Sequence, residues 1–213
     1  MKKLKLKKIN LKKKDGKKKI NIKENILSII LIGGIVVISI ILIIQTIIFG
    51  IVGANKSYIH MDEAYSLGLA SYDKVEIQDN EDFYNTWHDG KYYEDYLCVN
   101  DDEIGQYKQV YENQKNDVHP PLYYALIHTI CSVFPNKFSK WFSAGINIIF
   151  VLMTLYMVRK IISLFTDNKF ILWSISLSFV TLSGIIMTAT YFRMYCMATF
   201  WVTLLTCLFL KQV

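Results

Sequence analysis

Three short polar clusters interrupt an otherwise apolar chain, and each holds side chains able to do chemistry. The first is His60-Met61-Asp62-Glu63-Ala64-Tyr65-Ser66-Leu67. A carboxylate held beside apolar surroundings gains proton affinity and can serve as a general base. Adjacent helical residues lie about 100° apart, so Asp62 and Glu63 cannot both face one pocket. One can point inward while the other meets water or a backbone amide. The same acidic pair early in a helix also suits the positive N-terminal end of that helix. The second cluster is Asp117-Val118-His119-Pro120-Pro121-Leu122-Tyr123-Tyr124. Prolines are excluded from helix interiors but fit the first turn, so a helix is expected to begin here. Asp117 and His119 then sit at its mouth, able to contact a polar headgroup or acceptor, and Tyr123 and Tyr124 are expected at headgroup depth. A plain helix start with an interfacial aromatic belt accounts for the same residues. The third cluster is Tyr191-Phe192-Arg193-Met194-Tyr195, in which Arg193 is the only charge between Phe170 and Leu210. A guanidinium backed by tyrosines can grip a lipid phosphate or pyrophosphate in bidentate fashion. It can also be a snorkelling anchor.

The elements that must position these clusters are membrane-spanning. Residues 1–24 carry twelve lysines, whereas residues 53–118 carry fifteen Asp and Glu against five Lys. Such segregation of charge is foreign to a soluble globular domain and ordinary in a polytopic membrane protein. Ile26 to Val52 holds no charged residue and is long enough to cross a hydrocarbon core of roughly 30 Å. It exceeds a signal-peptide core, and no small-residue cleavage site follows it. The lysine tail keeps the N-terminus cytoplasmic. Residues 118–134 are short for a span. If they lie in the interface, Arg159, Lys160 and Lys169 fall inside the cell, as the positive-inside bias requires.

The expected fold is therefore an all-α polytopic membrane protein with about four transmembrane helices, juxtamembrane interfacial helices and an exported acidic loop. Its organisation is a cytoplasmic Lys-rich tail (1–25), a first span (26–52), an extracytoplasmic loop with a juxtamembrane helix (53–117), an interfacial helix (118–135), and spans at 141–158, 170–190 and 191–210. The loop is too rich in aromatics for a solvated tail, with Phe83, Tyr84, Trp87, Tyr92, Tyr93, Tyr96, Tyr107 and Tyr111. A small folded cap is expected, with a turn at Asp89-Gly90. Cys98, Cys131, Cys196 and Cys207 show neither a CxxC nor a metal spacing, and the four histidines are scattered. This topology brings all three polar clusters to one outer surface.

A first span, an Asp-Glu pair, an exported loop ending in His-Pro-Pro-Leu-Tyr-Tyr, and an Arg-Met-Tyr hairpin occur here in that order. In this order they resemble the amino-terminal part of GT-C membrane glycosyltransferases. The resemblance is to the family-39-like branch, akin to protein O-mannosyltransferases and aminoarabinose transferases, and it covers the chain after residue 25. It implies a polyprenyl-phosphate-linked sugar as donor and a lipid, glycan or protein as acceptor. It further implies Asp62 as the catalytic base; Glu63, Asp117, His119, Arg193 and Tyr195 are expected to bind substrate. His119-Pro120-Pro121 would line the site, and Arg193 would meet the donor phosphate. The implied chemistry is inverting. No cofactor is firmly implied; some relatives use a divalent cation, and the sequence shows no convincing ligand set for one. The expected partners are the donor, the acceptor and the membrane, with no nucleic acid. Family members carry more spans and a further outer domain, so the chain is expected to be part of a longer enzyme or a truncated product.

Two other readings stay open. In one, a non-catalytic membrane protein uses its acidic aromatic loop, through Trp87, Tyr92 or Tyr93, to bind a glycan or protein. In the other, the chain is part of a transporter, although transporter sites lie at the midplane and the polar residues here cluster at one surface.

Overall fold

The computed structural model of the chain describes residues 34, 36–71, 85–115 and 117–212. The Lys-rich tail, the start of the first expected span, and Phe83 and Tyr84 lie outside the described residues. Residues 1–44 and 45–213 form two compact units. Among the described residues every regular element is a helix. In chain order they are α1 (Val36–Asn55), α2 (Met61–Ser71), α3 (Gly90–Leu97), α4 (Tyr107–Lys115), α5 (Leu122–Val133), α6 (Lys140–Ile162), α7 (Lys169–Thr181), α8 (Ser183–Thr190) and α9 (Tyr195–Leu210).

Among the described residues two helices are long and apolar enough to cross a membrane, α1 with 20 residues and α6 with 23. The pair α7 and α8 makes a third if it forms one span. These are the features of a helical membrane protein. Helix α6 begins where Ser139 accepts the Trp141 amide at 3.3 Å and runs uninterrupted past Arg159 and Lys160. The sequence between 170 and 190 reads as one helix, but the chain bends by 50° at Leu182, which is extended. The cause is local: Thr181, Ser183 and Gly184 flank the break, and hydroxyl–backbone bonds and glycine both weaken helix continuity. Thr181 Oγ1 donates to the carbonyls of Leu177 and Ser178 there. Helix α9 has 16 residues, about 24 Å at the standard rise, and α5 has 12, about 18 Å.

Helices α3 and α4 fold back onto the helices that flank them in the chain. Asp89 caps α3 by accepting the Tyr92 amide at 3.0 Å, so Asp89-Gly90 starts a helix. Both α3 and α4 pack against α2, and α4 also packs on α5. The last carbonyls of α2, left without helical partners, are met by side chains from elsewhere. Asn113 Nδ2 donates to Leu69 O at 3.0 Å, and the buried His128 donates through Nδ1 to Ala70 O at 2.7 Å. Helix α2 comes so close to α3 that a Cβ on Gly68 would lie 2.0 Å from Tyr96 Cζ. After α5, Asn136 takes a left-handed turn (φ 57°). From there it ties the loop down, donating its amide to Val99 O and Nδ2 to Asp101.

One core joins the cap to the helices beneath it: Leu67 and Ala70 of α2, Val99, Val110, Ile127 and Cys131, then Ala144, Ile146, Phe192 and Met197. Tyr123 and Tyr124 belong to it and are fully buried. Their rings therefore pack inward instead of facing lipid as an aromatic belt would. Spacing explains this: Tyr123, Ile127 and Cys131 recur every four residues along α5 and form its inward stripe. Burying a tyrosine hydroxyl demands a partner. Tyr123 finds two on α6, Ser143 Oγ at 2.8 Å and Asn147 Oδ1 at 3.0 Å.

Candidate functional site

The first turn of α2 and the break between α8 and α9 supply most of the polar groups, and the loop before α5 supplies the rest. The pair Asp62 and Glu63 divides as adjacent helical residues must. Glu63 turns inward and is wholly buried. Its Oε1 lies 2.8 Å from Lys56 Nζ and accepts the Phe192 amide at 2.8 Å. Its Oε2 accepts Lys56 Nζ at 2.9 Å and the His60 amide at 2.8 Å. Both oxygens are thus engaged, and the residue joins the end of α1, the start of α2 and the α8–α9 break. Glu63 was expected among substrate-binding groups; it sits behind the open face of the cluster, because a buried carboxylate is retained only where charge and amides surround it.

Asp62 faces the other way, with its side chain 48% exposed. Its Oδ2 accepts the Tyr191 hydroxyl at 3.1 Å. The same hydroxyl lies 3.1 Å from His60 Nδ1. Tyr191 is held in turn from below: Asn147 Nδ2 donates to its carbonyl at 2.6 Å, and the buried Tyr123 hydroxyl reaches Asn147. Hydrogen bonds from α5 through α6 thus fix the Tyr191 backbone, and the Tyr191 ring carries its hydroxyl to the Asp62 carboxylate. The sequence places His60 and Tyr191 in these clusters but assigns them no role, and Asn147 lies outside all three. Asn147 was the visible signal, a lone amide in an apolar helix.

Arg193 is 8% exposed and draws the three clusters together. Its Nη1 donates to Asp62 O at 3.1 Å and to Ser66 Oγ at 3.3 Å. Its Nη2 lies 3.1 Å from His119 Nε2. His119 Nδ1 lies 2.9 Å from Asp117 Oδ2, and Asp117 Oδ1 accepts the Val118 amide at 2.7 Å. A guanidinium has no acceptor, so His119 Nε2 must accept and carries no proton. The imidazole proton is then on Nδ1 and goes to Asp117. Burial pushes the Asp117 carboxyl upward. The hydrogen bonds from His119 and the Val118 amide, together with the positive charge around it, outweigh this and hold it below its ordinary value.

No carboxylate among the described residues pairs with the Arg193 guanidinium, and its buried Nε has no hydrogen-bond partner. A buried, unbalanced cation with a free N–H is suited to an anion. Tyr195 opens α9 beside it, 44% exposed, its ring parallel to that of Tyr191 with centroids 6.3 Å apart. No group of three or more His, Cys, Asp or Glu placed to hold a metal occurs among the described residues.

No protein-family model matches the chain, and neither curated proteins nor solved structures gave a match.

Proposed function

We propose that the chain carries the donor-binding and acceptor-activating groups of a GT-C-type glycosyltransferase, which takes a sugar from a polyprenyl-phosphate-linked donor at the outer face of the cell membrane. The observation that carries this reading is Arg193. Its guanidinium spans from the Asp62 turn to His119, and among the described residues no carboxylate forms an ion pair with it. A half-exposed carboxylate beside an unbalanced buried guanidinium suits a reaction in which a hydroxyl is deprotonated while a phosphate departs. Asp62 takes the proton of the acceptor hydroxyl. The acceptor oxygen forms a bond to the anomeric carbon from the face opposite the phosphate. The bond from that carbon to the phosphate oxygen breaks, and the polyprenyl phosphate leaves with its charge compensated by Arg193. Tyr195 and Asp117 belong to the same substrate-binding group, and Glu63 fixes the backbone that presents Asp62 and Arg193.

In this reading four spans cross the cell membrane, α1, α6, α7 with α8, and α9. Helix α5 lies in the outer interface, the N-terminus is cytoplasmic and residues 53–135 are extracytoplasmic. The acceptor is a lipid, a glycan or a protein.

A second reading has one observation in its favour. Trp87 is completely exposed and Tyr93 is half-exposed on the acidic cap, as a glycan- or protein-binding surface would present them. Photoaffinity labelling separates the two. A diazirine-bearing polyprenyl-phosphate sugar is expected to label peptides from 117–121 and 191–195, and unlabelled polyprenyl phosphate is expected to compete. Labelling confined to residues 85–97, or none that polyprenyl phosphate displaces, contradicts the transferase reading.

A further inference from the structure

Nothing so far explains why a buried cation should rest against a neutral imidazole. The Arg193–His119 contact works only while His119 Nε2 is a lone pair, because two N–H groups facing each other at 3.1 Å repel. His119 therefore occupies the position that an anion's oxygen would take against Nη2. The imidazole is also the more exposed partner, its side chain 19% accessible against 8% for Arg193 as a residue, so it covers the guanidinium from the open side. It stands in the loop between α4 and α5, outside regular secondary structure, on the residue before Pro120.

Resting on the phosphate-donor reading above, we infer that His119 is a proton-coupled phosphate ligand: an incoming phosphate oxygen replaces Nε2 on Arg193, and Nε2 takes a proton from solvent and becomes a second donor to the same phosphate. One N–H bond forms on His119, and no other covalent bond changes. The groups facing His119 favour this exchange in one direction. Asp117, on the same loop, already accepts from Nδ1 at 2.9 Å and is held ionised, so an imidazolium has its counter-charge in place. Arg193, on the α8–α9 break, opposes protonation while its Nη2 is unshared and ceases to do so once a phosphate lies between them. Tyr124 on α5, with its ring centroid 6.4 Å away, and Asp62 on α2, touching Arg193 only through its carbonyl, bring no further cation. Without phosphate, then, one cation and one carboxylate flank a neutral imidazole that each of them contacts. With phosphate, two cations and a carboxylate surround one anion.

The test is isothermal titration of the purified full chain, in nanodiscs of neutral lipid, with a short-chain isoprenyl methyl phosphate. This phosphodiester bears one charge that does not titrate near neutrality. Titrations in two buffers of different ionisation enthalpy count the protons bound. The expected result is uptake of about one proton per ligand at about pH 8, with affinity rising by up to about tenfold per unit fall in pH. His119→Gln keeps an acceptor and a donor but cannot become charged. It is expected to bind without proton uptake and with little dependence on pH. Binding by the wild-type chain with no proton uptake overturns this inference and leaves the transferase reading standing. Uptake that persists in His119→Gln does the same. Absence of binding at every pH overturns both. The wild-type proton count needs no variant to fold.

Discussion

Glu63→Ala should be among the most destabilising single changes in this protein. The carboxylate is wholly buried and receives Lys56 Nζ together with the amides of His60 and Phe192, all within 2.9 Å. Removing it leaves an ammonium whose side chain is only 14% exposed without its counter-ion. Breaking a buried pair from one side costs about 3–5 kcal/mol, against about 0–1 kcal/mol for an exposed pair. Each buried amide left without an acceptor costs about 1–3 kcal/mol, although these losses overlap and cannot simply be summed. The expected destabilisation is therefore about 3–5 kcal/mol. Glu63→Gln should recover little, because its NH2 must face either an amide N–H or the ammonium. Lys56→Met in the Glu63→Ala background should restore about 1–3 kcal/mol by removing the stranded charge. Denaturant unfolding of the micelle-bound protein, followed by tryptophan fluorescence, gives all four corners of this cycle. A loss below about 1 kcal/mol for Glu63→Ala, the range of an exposed pair, or no recovery on adding Lys56→Met, refutes the assignment of Glu63 as the buried joint of the site.

Other predictions probe the path beneath the site, the carboxylate beside His119, and the topology. Tyr123→Phe removes the hydroxyl shared by Ser143 and Asn147 and should cost about 1–3 kcal/mol in the same unfolding assay. The Asp117 carboxyl is held low in the folded protein, so its contribution is fully present above its unfolded value near 3.9 and is lost as pH falls through the folded value. The stability difference between wild type and Asp117→Asn should thus stay flat from about pH 7 to about pH 5 and shrink below about pH 4; a difference that grows on acidification contradicts the arrangement. A membrane-impermeant maleimide applied outside intact cells should leave Lys160→Cys unlabelled, the four native cysteines being buried, and labelling would reverse the proposed direction of α6.

The convergence of Asp62, His119 and Arg193 was legible in the sequence through charge, because the positive-inside bias alone places three distant polar clusters on one surface. What lay between them was not legible. Which member of the Asp-Glu pair turns inward depends on where Lys56 and the Phe192 amide arrive, and these come from segments 7 and 129 residues away. Tyr123 and Tyr124 read as interfacial because their flanks are polar; the four-residue repeat with Ile127 and Cys131 was present but outweighed by the aromatic-belt expectation. The bend at Leu182 was hidden because hydropathy averages over a window and does not register hydroxyls competing for backbone carbonyls. Asn147 carried a signal, since an amide inside an apolar helix needs a partner, but the Tyr191 carbonyl that meets it could be found only in three dimensions.

The central claim is that Asp62 draws the acceptor proton while Arg193 steadies the departing phosphate. The most direct measurement is the transfer of labelled sugar from a polyprenyl-phosphate donor in membranes containing the complete protein, comparing wild type with Asp62→Asn at equal expression. Loss of a positioned general base should lower the rate by about 10²–10⁴-fold with little change in donor binding. Transfer at the wild-type rate by Asp62→Asn would contradict the account.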